Sequence, residues 1–177
     1  MPTTHWYVDE TKATDYVVVT VVAPTDVVSP ARRALRELVR PGQRSLHFTK
    51  ESDATRRAAL RVIVGLPLDV IVYRVTGRRG LAAREVALRA LARDALVAHP
   101  QRIVLERDDS VVVADRRWLR DELGPRNYRD IGFDHLAKHE EPMLWIADAL
   151  AWCVQRGRPW SDYLDALSTV TTIVDRP

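Results

Sequence analysis

The stretch that most constrains this chain runs from Pro142 to Gln155 (PMLWIADALAWCVQ), where every residue between Met143 and Val154 is apolar except Asp148. Pro142 suits a first helical turn, Glu140 and Glu141 lie beside the positive helix end, and Gly157 stops the pattern after Arg156. A helix that is apolar on all faces belongs in the interior. A carboxylate carried there needs hydrogen-bond donors, a cation or a metal, because an unpaired buried charge is costly. The rest of the chain has to supply what Asp148 faces.

A chain of 177 residues is long enough for one substantial core and tight for two, so a single domain is expected. His5 to Asp9 reads as a short strand ending on two acids, Asp9 and Glu10. Thr11 to Asp15 is a polar turn, and the β-branched run Tyr16 to Ala23 is a central strand covered on both faces. Ser29 and Pro30 open a helix with Ala34, Leu35, Leu38 and Val39 inward, ended by Pro41 and Gly42. Ser45 to Thr49 is short and extended, and Ser52 or Asp53 caps a helix that stops at Gly65. Leu68 to Thr76 is a strand, Leu81 to Ala98 a long amphipathic helix, and Arg102 to Glu106 a strand closing on an acid. Ser110 to Leu123 reads as a helix, Tyr128 to His135 as a strand, and Pro159 opens a short helix to Leu167. The tail from Val170 to Asp175 either adds an edge strand or packs on the surface. This alternation after a hairpin argues for an α/β fold, a mixed sheet with helices on both faces. In open sheets the functional crevice lies beyond the carboxyl ends of the parallel strands. If the strands ending at Asp9 and Glu106 are parallel neighbours, the two acids meet there.

The composition removes several function classes. Cys153 is the only cysteine and sits within the apolar helix, so there is no disulfide framework and no cysteine-rich zinc site. No basic start with an apolar core marks a signal peptide, and the apolar run Val62 to Val72 is interrupted by Pro67 and Asp69 and too short to span a bilayer. A cytoplasmic protein without membrane association is the expectation. A net charge of +3 permits nucleic-acid binding without demanding it. All of the 27 basic residues except Lys12, Lys50 and Lys138 are arginine, a bias so general that it reads as compositional. Arg78, Arg79, Arg116, Arg117, Arg120, Arg126 and Arg129 form either a phosphate track or simply a solvated face. His139, Glu140 and Glu141 lack the HExxH spacing of a zinc protease and read as a helix start. Trp145 and Trp152, seven residues apart, read as core.

Three carboxylates from two strand ends and one buried helix would suit Mg²⁺ or Mn²⁺, which take oxygen ligands and keep several waters. Two such ions about 3.5–4 Å apart activate an attacking water and stabilise the leaving oxygen of a phosphodiester. Other readings stand beside this one. Asp9 can merely begin a polar turn, Asp148 can pair with an arginine, and Asp108 can replace Glu106. Asp134, following the last strand, either completes the cluster or caps a loop.

The order of elements and the acids together resemble the ribonuclease H-like fold. More narrowly, YVDET (Tyr7 to Thr11), LWIADALAW (Leu144 to Trp152) and SLHFTKES (Ser45 to Ser52) are similar to segments of the domain of unknown function 3800 family. The resemblance implies one ribonuclease H-like domain over residues 1–177 with a helical insert at about 29–66. It implies Asp9, Glu106 and Asp148 as ligands of Mg²⁺ or Mn²⁺, with Glu10 as a possible additional ligand. His47 matches a family histidine that would orient a water or bind phosphate, although Ser45 stands where the family usually has an acid. The implied activity is metal-dependent hydrolysis of RNA or DNA. The alternative is a non-catalytic module of the same fold, in which arginines bind nucleic acid or a partner and the acids are structural.

Overall fold

The computed structural model of the chain describes residues 3–12 and 15–174. β1 (Thr4–Thr11) and β2 (Tyr16–Pro24) form the expected antiparallel hairpin, with Tyr7 opposite Val21 and Asp9 opposite Val19. Ala13 and Thr14 of its turn, and Asp175 of the tail, lie outside the described residues. β3 (Asp69–Val75) runs antiparallel to β2, and β6 (Ser168–Val174) joins β3 in parallel as the edge strand. On the other side β4 (Arg102–Glu106) lies parallel to β1 and β5 (Gly132–Leu136) parallel to β4. The strand order is β5-β4-β1-β2-β3-β6.

The two-residue period of the central strands divides their side chains between two cores. Tyr7, Val17, Val19 and Val21 pack on one face against α1 (Thr25–Arg36), α2 (Asp53–Val64) and α5 (Met143–Arg156). Trp6, Val8, Val18 and Tyr73 pack on the other against α3 (Gly80–Ala98) and α4 (Val112–Asp130). Helices therefore cover both faces, and this is why the YVVVTVVA run of β2 has no polar side. No helix among the described residues is long and apolar enough to cross a membrane.

α5 is buried from Met143 to Cys153 except at Asp148. Burial pushes the Cys153 thiol up to about 12, so it stays protonated at neutral pH. Native protein should resist alkylation by iodoacetamide at pH 8 and react fully once unfolded, a difference that intact-mass spectrometry reads directly.

Several boundaries differ from the sequence reading for local reasons. α1 begins at Thr25, not Ser29, because the Thr25 N–H and Oγ1 both bond the Thr3 carbonyl, at 3.0 and 2.8 Å, and tie the helix start to β1. Pro30 then falls inside the helix, where it and Asp26 are both exposed, so the carbonyl freed four residues back is on the solvent side. The inner stripe is Val28, Ala31 and Leu35, and the helix stops at Arg36. The extended segment expected from Ser45 to Thr49 closes instead in a single 3₁₀ turn, Phe48–Lys50. α2 is capped as expected, Ser52 Oγ accepting the Thr55 N–H at 3.2 Å. In α4 the helix breaks at Gly124, whose φ of 75° suits glycine, and restarts through Pro125 to Asp130. Tyr128 is therefore helical and stacks on Phe133 at 5.0 Å, and the strand begins only at Gly132. The short helix after Pro159 is 3₁₀ over Trp160–Ala166.

Candidate functional site

Parallel pairing of β1, β4 and β5 sets three chain ends side by side. Val8 pairs with Leu105, which brings Asp9 and Glu106 level, and Glu106 pairs with Leu136, two residues before Lys138. α5 crosses the β1 side of this edge and adds Asp148. The four side chains line an open cleft of about 640 Å³ together with Glu10, Lys12, Arg84, Arg107, Asp108 and Asp109.

The carboxylates converge on one atom. Lys138 Nζ lies 2.9 Å from Asp148 Oδ1, 3.1 Å from Asp9 Oδ2 and 3.3 Å from Glu106 Oε1. Asp148 Oδ2 accepts the Phe48 N–H at 2.9 Å, and Asp9 Oδ1 accepts the Glu10 N–H at 2.7 Å. Asp9 Oδ2 is buried and faces the Lys138 ammonium at 3.1 Å. Burial pushes the Asp9 carboxyl well above the usual carboxylate range. Lys138 opposes that shift, while the neighbouring Glu106 and Asp148 add to it. Burial would lower the Lys138 ammonium, but Asp9, Asp148 and Glu106 outweigh it and hold the group above its ordinary value. With all three acids ionised, the lysine neutralises only one of three charges.

Lys138 is placed by the link from β5 to α5. Ala137 N–H bonds Glu140 Oε2 at 2.8 Å, Glu140 N–H bonds the Ala137 carbonyl at 2.9 Å, and the Trp145 indole donates to the Lys138 carbonyl at 2.6 Å. The backbone is thus pinned and only the side chain reaches into the cleft. An ammonium with three donors on a flexible stem suits a centre with three carboxylates better than a planar guanidinium does.

Among the described residues no three His, Cys, Asp or Glu side chains meet as a ready-made metal cage. The three acids do offer the all-oxygen donor set that a hard dication takes, arranged around a point where a cation already stands.

The other candidate residues are not among the acids that meet at Lys138. Glu10 follows Asp9 on a strand and so faces the opposite side of the sheet, where it pairs with Arg84 and accepts the Tyr16 hydroxyl at 2.9 Å. Asp134 is level with Val104, short of the carboxyl edge, and accepts from Arg102 at 2.7 Å. The His47 Nε2 lies 3.3 Å from Ser45 Oγ, the residue that replaces the expected acid. Asp108 accepts from Ser110 N and Oγ at 3.0 and 2.6 Å and acts as a turn cap at the cleft rim. Of the arginine track, three members have local partners. Arg117 and Arg120 lie over Trp118 and Tyr128, and Arg126 faces Asp130.

Two features escaped the sequence reading. One is Lys138, whose signal was its rarity: one of three lysines, just past a strand end, in a chain whose other basic residues are arginine. The other is a buried polar cluster behind the cleft. Arg84 grips Asp115 with Nε and Nη2 at 2.7 and 2.8 Å, and His135 Nε2 lies 3.0 Å from the same carboxylate. Burial would raise the Asp115 carboxyl, but these partners outweigh it and hold it below the usual range. The cluster draws single residues from α3, α4 and β5, and no spacing in the sequence links them.

No family model matches the chain, and no curated protein does. A solved structure does: a chain of the PCNA:RNase HII complex from Archaeoglobus fulgidus superposes with a TM-score of 0.59 at 16% identity, covering 93% of this chain and 78% of that one. At that identity the likeness concerns the fold. The mixed sheet with its antiparallel hairpin, parallel strands and flanking helices is ribonuclease H-like.

Proposed function

We propose that this protein is a metal-dependent nuclease that hydrolyses phosphodiester bonds in RNA or DNA, with Asp9, Glu106 and Asp148 holding Mg²⁺ or Mn²⁺. The observation that carries the reading is the convergence of these three carboxylates on one point at the carboxyl ends of β1 and β4, in an open cleft. The solved relative is named as an RNase, which supports the same reaction class. The short motifs that resemble segments of the domain of unknown function 3800 family, although no family model matches the chain, point to the same assignment of ligands.

When bound, the metal would lower the pKa of water and neutralise charge on the phosphate. The chain's own part is to position and to exclude. β1 and β4 fix Asp9 and Glu106 by sheet register, and the Phe48 N–H orients Asp148. Val8, Leu88 and Leu105 give the cleft an apolar wall that strengthens charge interactions inside it. Lys12 and Arg107 line the cleft beside Glu10 and Asp109, and would turn to a nucleic-acid backbone entering it.

Asp148→Asn tests the proposal, since the amide oxygen can still accept the Phe48 N–H while one ligand charge is lost. Mg²⁺- or Mn²⁺-dependent cleavage of labelled RNA and DNA should fall by about 100-fold or more, a ligand being worth at least what an outer-shell partner is. Unchanged cleavage with an intact fold would reject the role.

The ammonium at the centre of the acids favours a second reading, a binding module in which Lys138 is a permanent structural cation. Salt-sensitive nucleic-acid binding by the wild type, with no response to Mn²⁺ by calorimetry, would favour that module.

A further inference from the structure

We propose that Lys138 is an exchangeable internal cation that holds the three acids together and must swing out before a divalent ion enters, so that this one side chain sets the metal affinity of the site. The inference rests on the nuclease reading above and adds to it a residue with a defined task.

Position is the first ground. Nζ lies within 3.3 Å of one oxygen of each of Asp9, Glu106 and Asp148, so a dication using those three oxygens and the ammonium cannot share the centre. Incomplete satisfaction is the second. Asp9 Oδ2 is buried against the Lys138 ammonium with Glu106 and Asp148 crowded beside it, so a single positive charge serves a group of acids that a dication would suit better. Freedom to leave is the third. The Lys138 carbonyl is pinned by Trp145 and the Ala137 to Glu141 turn is closed by its own hydrogen bonds. Departure therefore needs only rotation about the side-chain torsions, with the open cleft of about 640 Å³ to receive the ammonium.

The energetics follow from competition. Metal binds only the lysine-out form, so its apparent affinity is reduced by the fraction of molecules in that form. The lysine would also keep mutually repelling acids folded in metal-poor conditions.

The first experiment is metal-titrated lysine labelling of the wild-type protein, which avoids any question of variant folding. Acetic anhydride footprinting followed by peptide mass spectrometry reads Lys12, Lys50 and Lys138 separately. Without metal Lys138 should be protected relative to Lys12, whose side chain is 58% exposed against 10% for Lys138. Adding Mn²⁺ should raise Lys138 labelling several-fold and leave Lys50 unchanged. Labelling that is constant or falls while calorimetry shows Mn²⁺ bound would overturn the inference and leave the metal reading intact. No Mn²⁺ binding by the wild type or by Lys138→Met would defeat the metal reading and this inference with it. The second experiment is calorimetry on Lys138→Met, which should bind Mn²⁺ about 10-fold more tightly or better. Equal or weaker binding by folded Lys138→Met would also overturn the proposal.

Discussion

Asp9→Asn is expected to separate stability from function: thermal stability unchanged or raised by a few degrees, and Mn²⁺ affinity lowered by about 100-fold or more. The carboxyl is almost fully buried, and burial pushes it away from its charged form. An amide of the same shape removes that desolvation cost, and its oxygen can still accept the Glu10 N–H that Asp9 Oδ1 now accepts. Lys138 keeps Glu106 and Asp148 as counter-ions. A ligand-bearing charge would nevertheless be gone from the centre of the cleft. A thermal melt and a calorimetric Mn²⁺ titration on the same sample measure both effects. Wild-type affinity in the variant would remove Asp9 from the metal-binding set, and a large drop in stability would mean that the ionised form supports the fold.

Asp115→Asn should act in the opposite sense, through stability. Asp115 is fully buried and accepts two bonds from Arg84 and one from His135. Removing its charge leaves the buried guanidinium with Glu10 as its remaining anionic partner and sets a neutral amide against Arg84 and His135. Breaking a buried pair from one side costs about 3–5 kcal/mol, which for a domain of this size is a melting-point loss of about 6–20 °C. The double variant Arg84→Met/Asp115→Leu removes both charges of this pair but also takes Arg84 from Glu10, so it should recover only part of that loss. The pH dependence has a definite sign. A carboxyl held lower in the folded state than in the unfolded one contributes stability that is fully present above its unfolded value. That contribution is lost as pH falls through the folded one. The wild type should therefore lose stability more steeply than the double variant as pH falls below about 4, as chemical denaturation at pH 7 and at about pH 2.5 would show. Equal melting points for wild type and Asp115→Asn would mean that the cluster carries no net structural load.

What the sequence made legible follows from periodicity. α5 declared itself because an apolar run bounded by Pro142 and Gly157 has only one helical reading, and β4 because RIVLE is a short apolar run between polar ends. The meeting of Asp9 and Glu106 followed from two acids closing strands that are parallel neighbours. Glu10 reaches the cleft lining from the opposite side of the sheet to Asp9, because adjacent strand residues alternate. Asp134 lies short of the carboxyl edge, since its place relative to that edge depends on where β5 begins. The Gly124 and Pro125 restart moved that start by four residues, from Tyr128 to Gly132. Lys138 and the Arg84, Asp115 and His135 cluster depend on side chains meeting across elements, which no local pattern records.

The bond from the Phe48 N–H to Asp148 has a consequence for the segment between β2 and β3. That excursion of α1, the Phe48–Lys50 turn and α2 reaches from one side of the sheet to a carboxylate contributed by the far end of the chain. It thus works as a bracket on the chemistry rather than as decoration on the scaffold. Whatever leans on the turn around Phe48, a strand of nucleic acid or another protein, presses on the aim of Asp148.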